Sequence, residues 1–274
     1  MPLIVMKVNE MLDDRTTTMD ELTRVIENDQ AIVFKMLMLV NSAFFGLREK
    51  VSSVKEAVII LGFDAIRNII ISLTTFDTLN DFAQNQDDSE INLDDFWRHS
   101  IAVAVLSKHI SRKMHLGDPD KCFVNGLLHD IGKLVLAFYF KDRFKTAVQS
   151  ARSEGGIYIT AEKKTLPATH CDIGYYVARK WDLPRSITDV IYHHHRIGPA
   201  CPSKEEVIIA NTADGLVNSF IRDTLNSTPT SGRLVDNYFD DESKKRMKPL
   251  IHEADRWFPR QLDVIREAQA FFFN

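Results

Sequence analysis

The chain has only three cysteines, Cys122, Cys171 and Cys201, widely spaced and without a CxxC pair. An odd, scattered set excludes a disulfide framework and the common zinc and dithiol motifs, and fits reduced cytosolic thiols in packing roles. Long hydrophobic runs are missing as well. None approaches the ~20 residues needed to span a bilayer, and the start, Met1-Pro2-Leu3-Ile4-Val5-Met6, lacks the charged opening and apolar core of a signal peptide. No membrane association and a cytoplasmic location are therefore expected. Nor is there an excess of one charge: 34 basic and 38 acidic residues leave a formal charge of −4, which offers no chain-wide attraction to nucleic acid or anionic lipid. No internal repeat is present.

What is present is an ordinary globular composition, 45% hydrophobic and 26% charged over 274 residues, enough for one large domain or two closely packed ones. The patterning is helical. Thr18 with Glu21 and Ser53 with Glu56 fit the S/T-x-x-E capping box at a helix start. Apolar residues then recur three to four apart, from Leu22 to Val40 and from Val54 to Leu61, with Gly62 as a stop and Asp64 as the next cap. The polar stretch Asn80 to Asp95 reads as a linker. Beyond it a helix is expected from about Phe96 to Lys113, and Asp118-Pro119 opens another. Weak strand character is confined to short runs, Val207 to Ala210 being the best. The tract Asn226 to Lys245 is rich in Ser, Thr, Asp and Lys, and an amphipathic stretch follows from Ile251 to Phe273. The expected fold is all-α, with an N-terminal helical half (1–80) packed on a second helical bundle (92–217) and a partly helical C-terminal extension (218–274).

Chemistry is concentrated around His129 and Asp130. Placed on one helix, neighbouring side chains diverge by ~100°, yet an imidazole and a carboxylate can still meet on an ion lodged between that helix and its neighbours. Further ligands must come from elsewhere: His99, His170, the run His193-His194-His195, and Asp214 are the candidates. Lys133, one turn after His129, is placed to meet a phosphate. A basic set, Arg67, Lys108, Arg112, Lys113 and Lys244-Lys245-Arg246, is read as solvated helix faces rather than a nucleic-acid surface.

The sequence resembles the HDOD domain, a bacterial signalling module related to the HD superfamily of metal-dependent phosphohydrolases. The resemblance runs from Met1 to about Val217. It rests on Asn41-Ser42-Ala43-Phe44-Phe45-Gly46, Val51-Ser52-Ser53-Val54 and Leu61-Gly62, then on Phe96-Trp97-Arg98-His99-Ser100, Gly126-Leu127-Leu128-His129-Asp130-Ile131-Gly132-Lys133-Leu134 and Trp181-Asp182-Leu183-Pro184. By that resemblance His99, His129 and Asp130 hold a divalent metal (Fe, Mn, Zn or Mg), with His170, His194 and His195 as further ligands. His193 lies one position early. The family's last metal-binding aspartate falls on Asn211, a weaker neutral donor, with Asp214 one turn later as a substitute. The resemblance thus implies a signalling protein with a degenerate metal site, non-catalytic or weakly catalytic, acting on other signalling proteins, with self-association left open. The alternative is a metal-dependent phosphohydrolase of nucleotides or cyclic nucleotides. In that case Lys133 contacts the phosphate.

Overall fold

A computed structural model of the chain describes residues 3–14, 16–42, 45, 47, 49–84, 92–153, 158–226 and 238–273. Among them are fifteen α-helices and no strand. The chain divides into two units, one of Met1–Gln84 with Leu262–Asn274, the other of Asn85–Gln261.

The first unit contains α1 (Leu3–Asp13), α2 (Met19–Glu27), α3 (Gln30–Val40), α4 (Val54–Leu61) and α5 (Phe63–Gln84). Local chemistry sets their ends. Thr18 accepts from the Glu21 amide while Glu21 accepts from the Thr18 amide at 2.8 Å, a complete capping box. At Ser53 only half the expected box forms: Ser53 accepts from the Glu56 amide, but Glu56 reaches back to Ser52. Gly62, at φ 82°, ends α4 in a conformation that a Cβ disfavours. Asp64 does not cap α5 as expected, because that helix already begins at Phe63 and Asp64 lies in its first turn. Leu22, Ile26, Met36, Leu39, Ile66 and Ile70 form the buried centre of this unit. In the Asn41-to-Gly46 motif, Asn41 donates to the Val51 carbonyl and accepts from the Val51 amide, both at 2.7 Å. Its amide thereby closes the base of the loop between α3 and α4. Phe45 is buried, whereas Phe44 lies outside the described residues.

The second unit carries α6 (Leu93–Met114), α7 (Pro119–Leu128), α8 (Ile131–Tyr139), α9 (Lys141–Ser153), α10 (Tyr158–Thr165), α11 (His170–Lys180), α12 (Arg185–His193), α13 (Lys204–Asn226), α14 (Asp241–His252) and the start of α15 (Ala254–Phe273). Asp118 caps α7, accepting from the Asp120 and Lys121 amides with Pro119 in the first turn, where its missing N–H is not needed. The segment Val207 to Ala210 is helical, part of α13, and not a strand. All four residues are buried, so the run is apolar on every side and shows no helical period. Most of the Asn226 to Lys245 tract lies outside the described residues, but Asp240 caps α14 and brings Lys244 and Lys245 onto a helix.

Pro119–Tyr139 is apolar and long enough to resemble a span, but 83% of its most apolar window is buried inside the fold, and it is two helices, not one. Lys108 is not on a solvated face either. It is 2% exposed and pairs with Asp120 at 2.7 Å. Lys113 lies over the Trp257 ring. The three cysteines are free and buried. Burial pushes the Cys122 thiol up to about 12, leaving almost no thiolate at pH 8. Iodoacetamide at that pH is therefore expected to leave Cys122 unmodified in the native protein, by peptide mass mapping. Rapid alkylation there would mean that the packing around α7 opens.

Candidate metal centre

His129 and Asp130 do not share a helix. They form the break between α7 and α8, His129 as the last cap of one and Asp130 as the residue before the other. This turn lets two sequence neighbours aim at the same point, which a continuous helix opposes. His129 donates through Nδ1 to the Gly126 carbonyl at 2.7 Å. Its Nε2 is then the acceptor, 3.2 Å from Asp130 Oδ2 and 3.8 Å from Asp214 Oδ1.

Two histidines approach from the opposite side in the same state. His170, the first residue of α11, places its backbone N–H and its Nδ1 on Glu162 Oε2, at 3.0 and 2.6 Å. His194 uses Nδ1 on the Val190 and Ile191 carbonyls, both at 3.0 Å. The two Nε2 atoms are thereby left facing each other at 3.3 Å. Only one proton fits between them. His195 lies tilted against His194, ring centres 4.1 Å apart, while His193 turns away to the Tyr192 ring. The structure brings His194 and His195 to the cluster, in the expected register, and leaves His193 outside.

The donors fall into two groups. His99, His129 and Asp214 form one, and Asp130, His170, His194 and His195 the other, with the ligand atoms of each within 4.8 Å of one another. Asp130 stands between them: Oδ2 lies 3.2 Å from His129 and 3.8 Å from His99, while Oδ1 lies 3.2 Å from His170 and 3.6 Å from His194. One carboxylate thus offers an oxygen to each group. Lys133 pairs with Asp130 Oδ2, and its ammonium lies over the Tyr158 ring.

Asn211, where the resemblance places the last carboxylate, is in neither donor group. Its Nδ2 donates to the His194 carbonyl at 2.8 Å and its Oδ1 accepts from the Asp240 amide at 3.0 Å. Both ends are occupied with backbone. The carboxylate comes from Asp214, one turn further along α13, whose Oδ1 is 3.1 Å from His99 Nε2. Asp214 thus supplies a carboxylate to the group that contains His99 and His129.

Electrostatics favour the charged carboxylates. Burial pushes both Asp130 and Asp214 up, but His129 and Lys133 beside the first, and His99 beside the second, hold them well below the usual carboxylate range. Burial keeps His129 below its ordinary value. At His170 burial is outweighed by the Cys171 sulfur, Glu162 and Asp130, and at His194 by the Cys171 sulfur and Asp130, which hold both imidazoles above their ordinary value. Three buried atoms aimed inward, His99 Nε2, His129 Nε2 and Asp130 Oδ1, have no hydrogen-bond partner among the described residues. Native proteins rarely leave such atoms unsatisfied. A cation between them removes that cost, and nitrogen with carboxylate donors suits Mn, Fe or Zn.

Sequence reasoning left Glu162 out of the site. It is fully buried and backs His170 as outer carboxylates back metal-bound histidines. Its signal was its place eight residues before His170. Glu162→Gln is expected to weaken metal binding by about ten- to a hundred-fold, read by competition with a chromogenic chelator. Unchanged affinity would deny Glu162 this role.

Residues 1–197 match the HDOD domain family. The chain belongs to it. Among solved structures, an HDOD domain protein with unknown function from Geobacter sulfurreducens is 25% identical, with a TM-score of 0.73 over 97% of this chain and 92% of that one. A protein described as a candidate phosphohydrolase, from Shewanella amazonensis SB2B, shares the fold at 18% identity and a TM-score of 0.69, over 99% and 94% of the two chains. An uncharacterised protein of Treponema pallidum (strain Nichols) is 25% identical over 232 residues, covering 84% of this chain and 43% of the relative. The chain thus spans less than half the length of that curated relative. The HDOD match ends before Asp214, the carboxylate grouped with His99 and His129.

Proposed function

We propose that this HDOD protein holds two divalent ions, one in each donor group, and hydrolyses a phosphoester. The placing of Asp130, with one oxygen toward each group, carries the reading. A degenerate site was the reason to expect little or no catalysis, and that reason rested on Asn211. With Asp214 in the cluster, His99, His129 and Asp214 would hold one ion and His170, His194 and His195 the other, with Asp130 shared. When bound, such ions supply Lewis-acid activation of water and charge stabilisation for the phosphoryl group.

The chain's own residues do the remaining work. Nδ1 hydrogen bonds to Gly126, Glu162, Val190 and Ile191 fix the rings so that Nε2 points inward. Lys133 neutralises part of the Asp130 charge, and, being 21% exposed, can turn toward an incoming phosphate. His99, 23% exposed, and the half-buried His195 are further points where the cluster meets solvent. His129, His170 and His194 are fully buried.

The test uses protein purified without chelator and loaded with manganese, assayed on a chromogenic phosphodiester and a phosphomonoester. Turnover on one of them of order 1 per second, abolished in Asp130→Ala, is the expected result. Full metal loading with no turnover on either would favour a signalling module in which the ions are structural.

A further inference from the structure

A cavity of about 420 Å³ adjoins the metal centre, with His195 in its wall. That volume lies in the range of small-molecule sites. Ile159, Leu166 and Tyr192 give it apolar surface, and the charged groups Lys163 and Arg196 also line it. Neither cation has an ion-pair partner among the described residues, and both are exposed. The wall's carboxylate, Asp172, is committed elsewhere, accepting from the Thr169 amide and hydroxyl as part of the cap of α11. The chamber therefore couples an apolar wall to a net positive charge, two cations against one capped carboxylate, next to the place where a phosphoester would be cut.

We propose that this cavity receives the organic part of the substrate, and that Lys163 and Arg196 bind a second phosphate carried on it. The ligand class is a phosphoester with a flat, partly apolar body and an additional anionic group, such as a nucleoside bisphosphate. Tyr192 offers that body a ring face, and the cations offer charge-assisted hydrogen bonds, Arg196 in a two-pronged geometry. A substrate with a single phosphate places that group at the metal centre and leaves both cations without a counter-charge. The proposal rests on the metal-centre reading above for which end of the ligand is cut, but the cations belong to the chain itself.

Calorimetric titration tests it with adenosine 3′,5′-bisphosphate and adenosine 5′-monophosphate, with and without manganese, on the wild type and on the double variant Lys163→Ala/Arg196→Ala. The wild type is expected to bind the bisphosphate at least about ten-fold more tightly, a margin of roughly 1.4 kcal/mol. The double variant should keep its metal content and lose that margin to within about two-fold. No preference in the wild type, no binding of either nucleotide, or an undiminished preference in the double variant each overturns the pocket assignment. Preference without turnover in the assay above overturns the hydrolase reading and leaves the pocket standing. Turnover without preference does the reverse.

Discussion

Asp214→Asn is expected to weaken metal binding by at least about a hundred-fold, whereas Asn211→Ala should leave the metal stoichiometry unchanged and lower stability instead. The two residues lie one turn apart on α13, yet their environments differ in kind. Asp214 Oδ1 faces the Nε2 atoms of His99 and His129. Replacing it with an amide of the same shape removes a charged donor from that group, and the amide oxygen that takes its place is a weaker ligand. Asn211 contributes nothing to either donor group, because both ends of its side chain are spent on the His194 carbonyl and the Asp240 amide. Truncation leaves two backbone groups unpaired in a buried setting, at a cost of about 3 kcal/mol. Chelator competition reads the first effect and urea unfolding of the metal-free protein the second. Strong loss of metal from Asn211→Ala, with Asp214→Asn still binding as the wild type does, would reverse the assignment.

The second large effect is expected at Gly132, on α8 two residues after Asp130. A Cβ built there would run into the His170 carbonyl oxygen and come within 2.8 Å of the Gly174 amide nitrogen, both backbone atoms of α11. Backbone cannot swing aside as a side-chain tip can. Gly132→Ala must push α8 and α11 apart, and α11 begins with His170, so the same movement withdraws His170 from Asp130. Overpacking of this kind costs about 3 kcal/mol, or roughly 10 °C in Tm for a domain of this size, and metal affinity should fall with it. Gly198→Ala is the control, since nothing lies within 4 Å of the added carbon. Near-wild-type stability and metal binding in Gly132→Ala would show that the two helices are not held at this spacing.

Both cases show where the sequence was informative and where it was not. Caps were legible because their chemistry is local: Thr18 with Glu21 and Asp118 before Pro119 need only their own neighbours. Most of the clustered donors were legible as well, since His99, His129, Asp130, His170, His194 and His195 all carry their chemistry on their faces. The carboxylate on α13 was legible only as a choice, with Asp214 named as the substitute for Asn211. Residues three apart on a helix share a face, so periodicity alone cannot choose between Asn211 and Asp214; the choice depends on what stands opposite, His99 in one case and a backbone carbonyl in the other. The break at His129 was hidden for a related reason. Leu127, Leu128, Ile131 and Leu134 are buried on both sides of it, and they read as one uninterrupted apolar helix. Val207 to Ala210 misled in the same way, because a helix buried all round has no polar face to set its period.

The most direct test of the whole account is the metal stoichiometry of the wild type beside Asp130→Ala, both loaded with manganese under identical conditions, desalted and measured by elemental analysis. A carboxylate shared between two donor groups predicts two ions per chain in the wild type and loss of both on removing Asp130. One ion or none in the wild type, or two ions retained by Asp130→Ala, would contradict it.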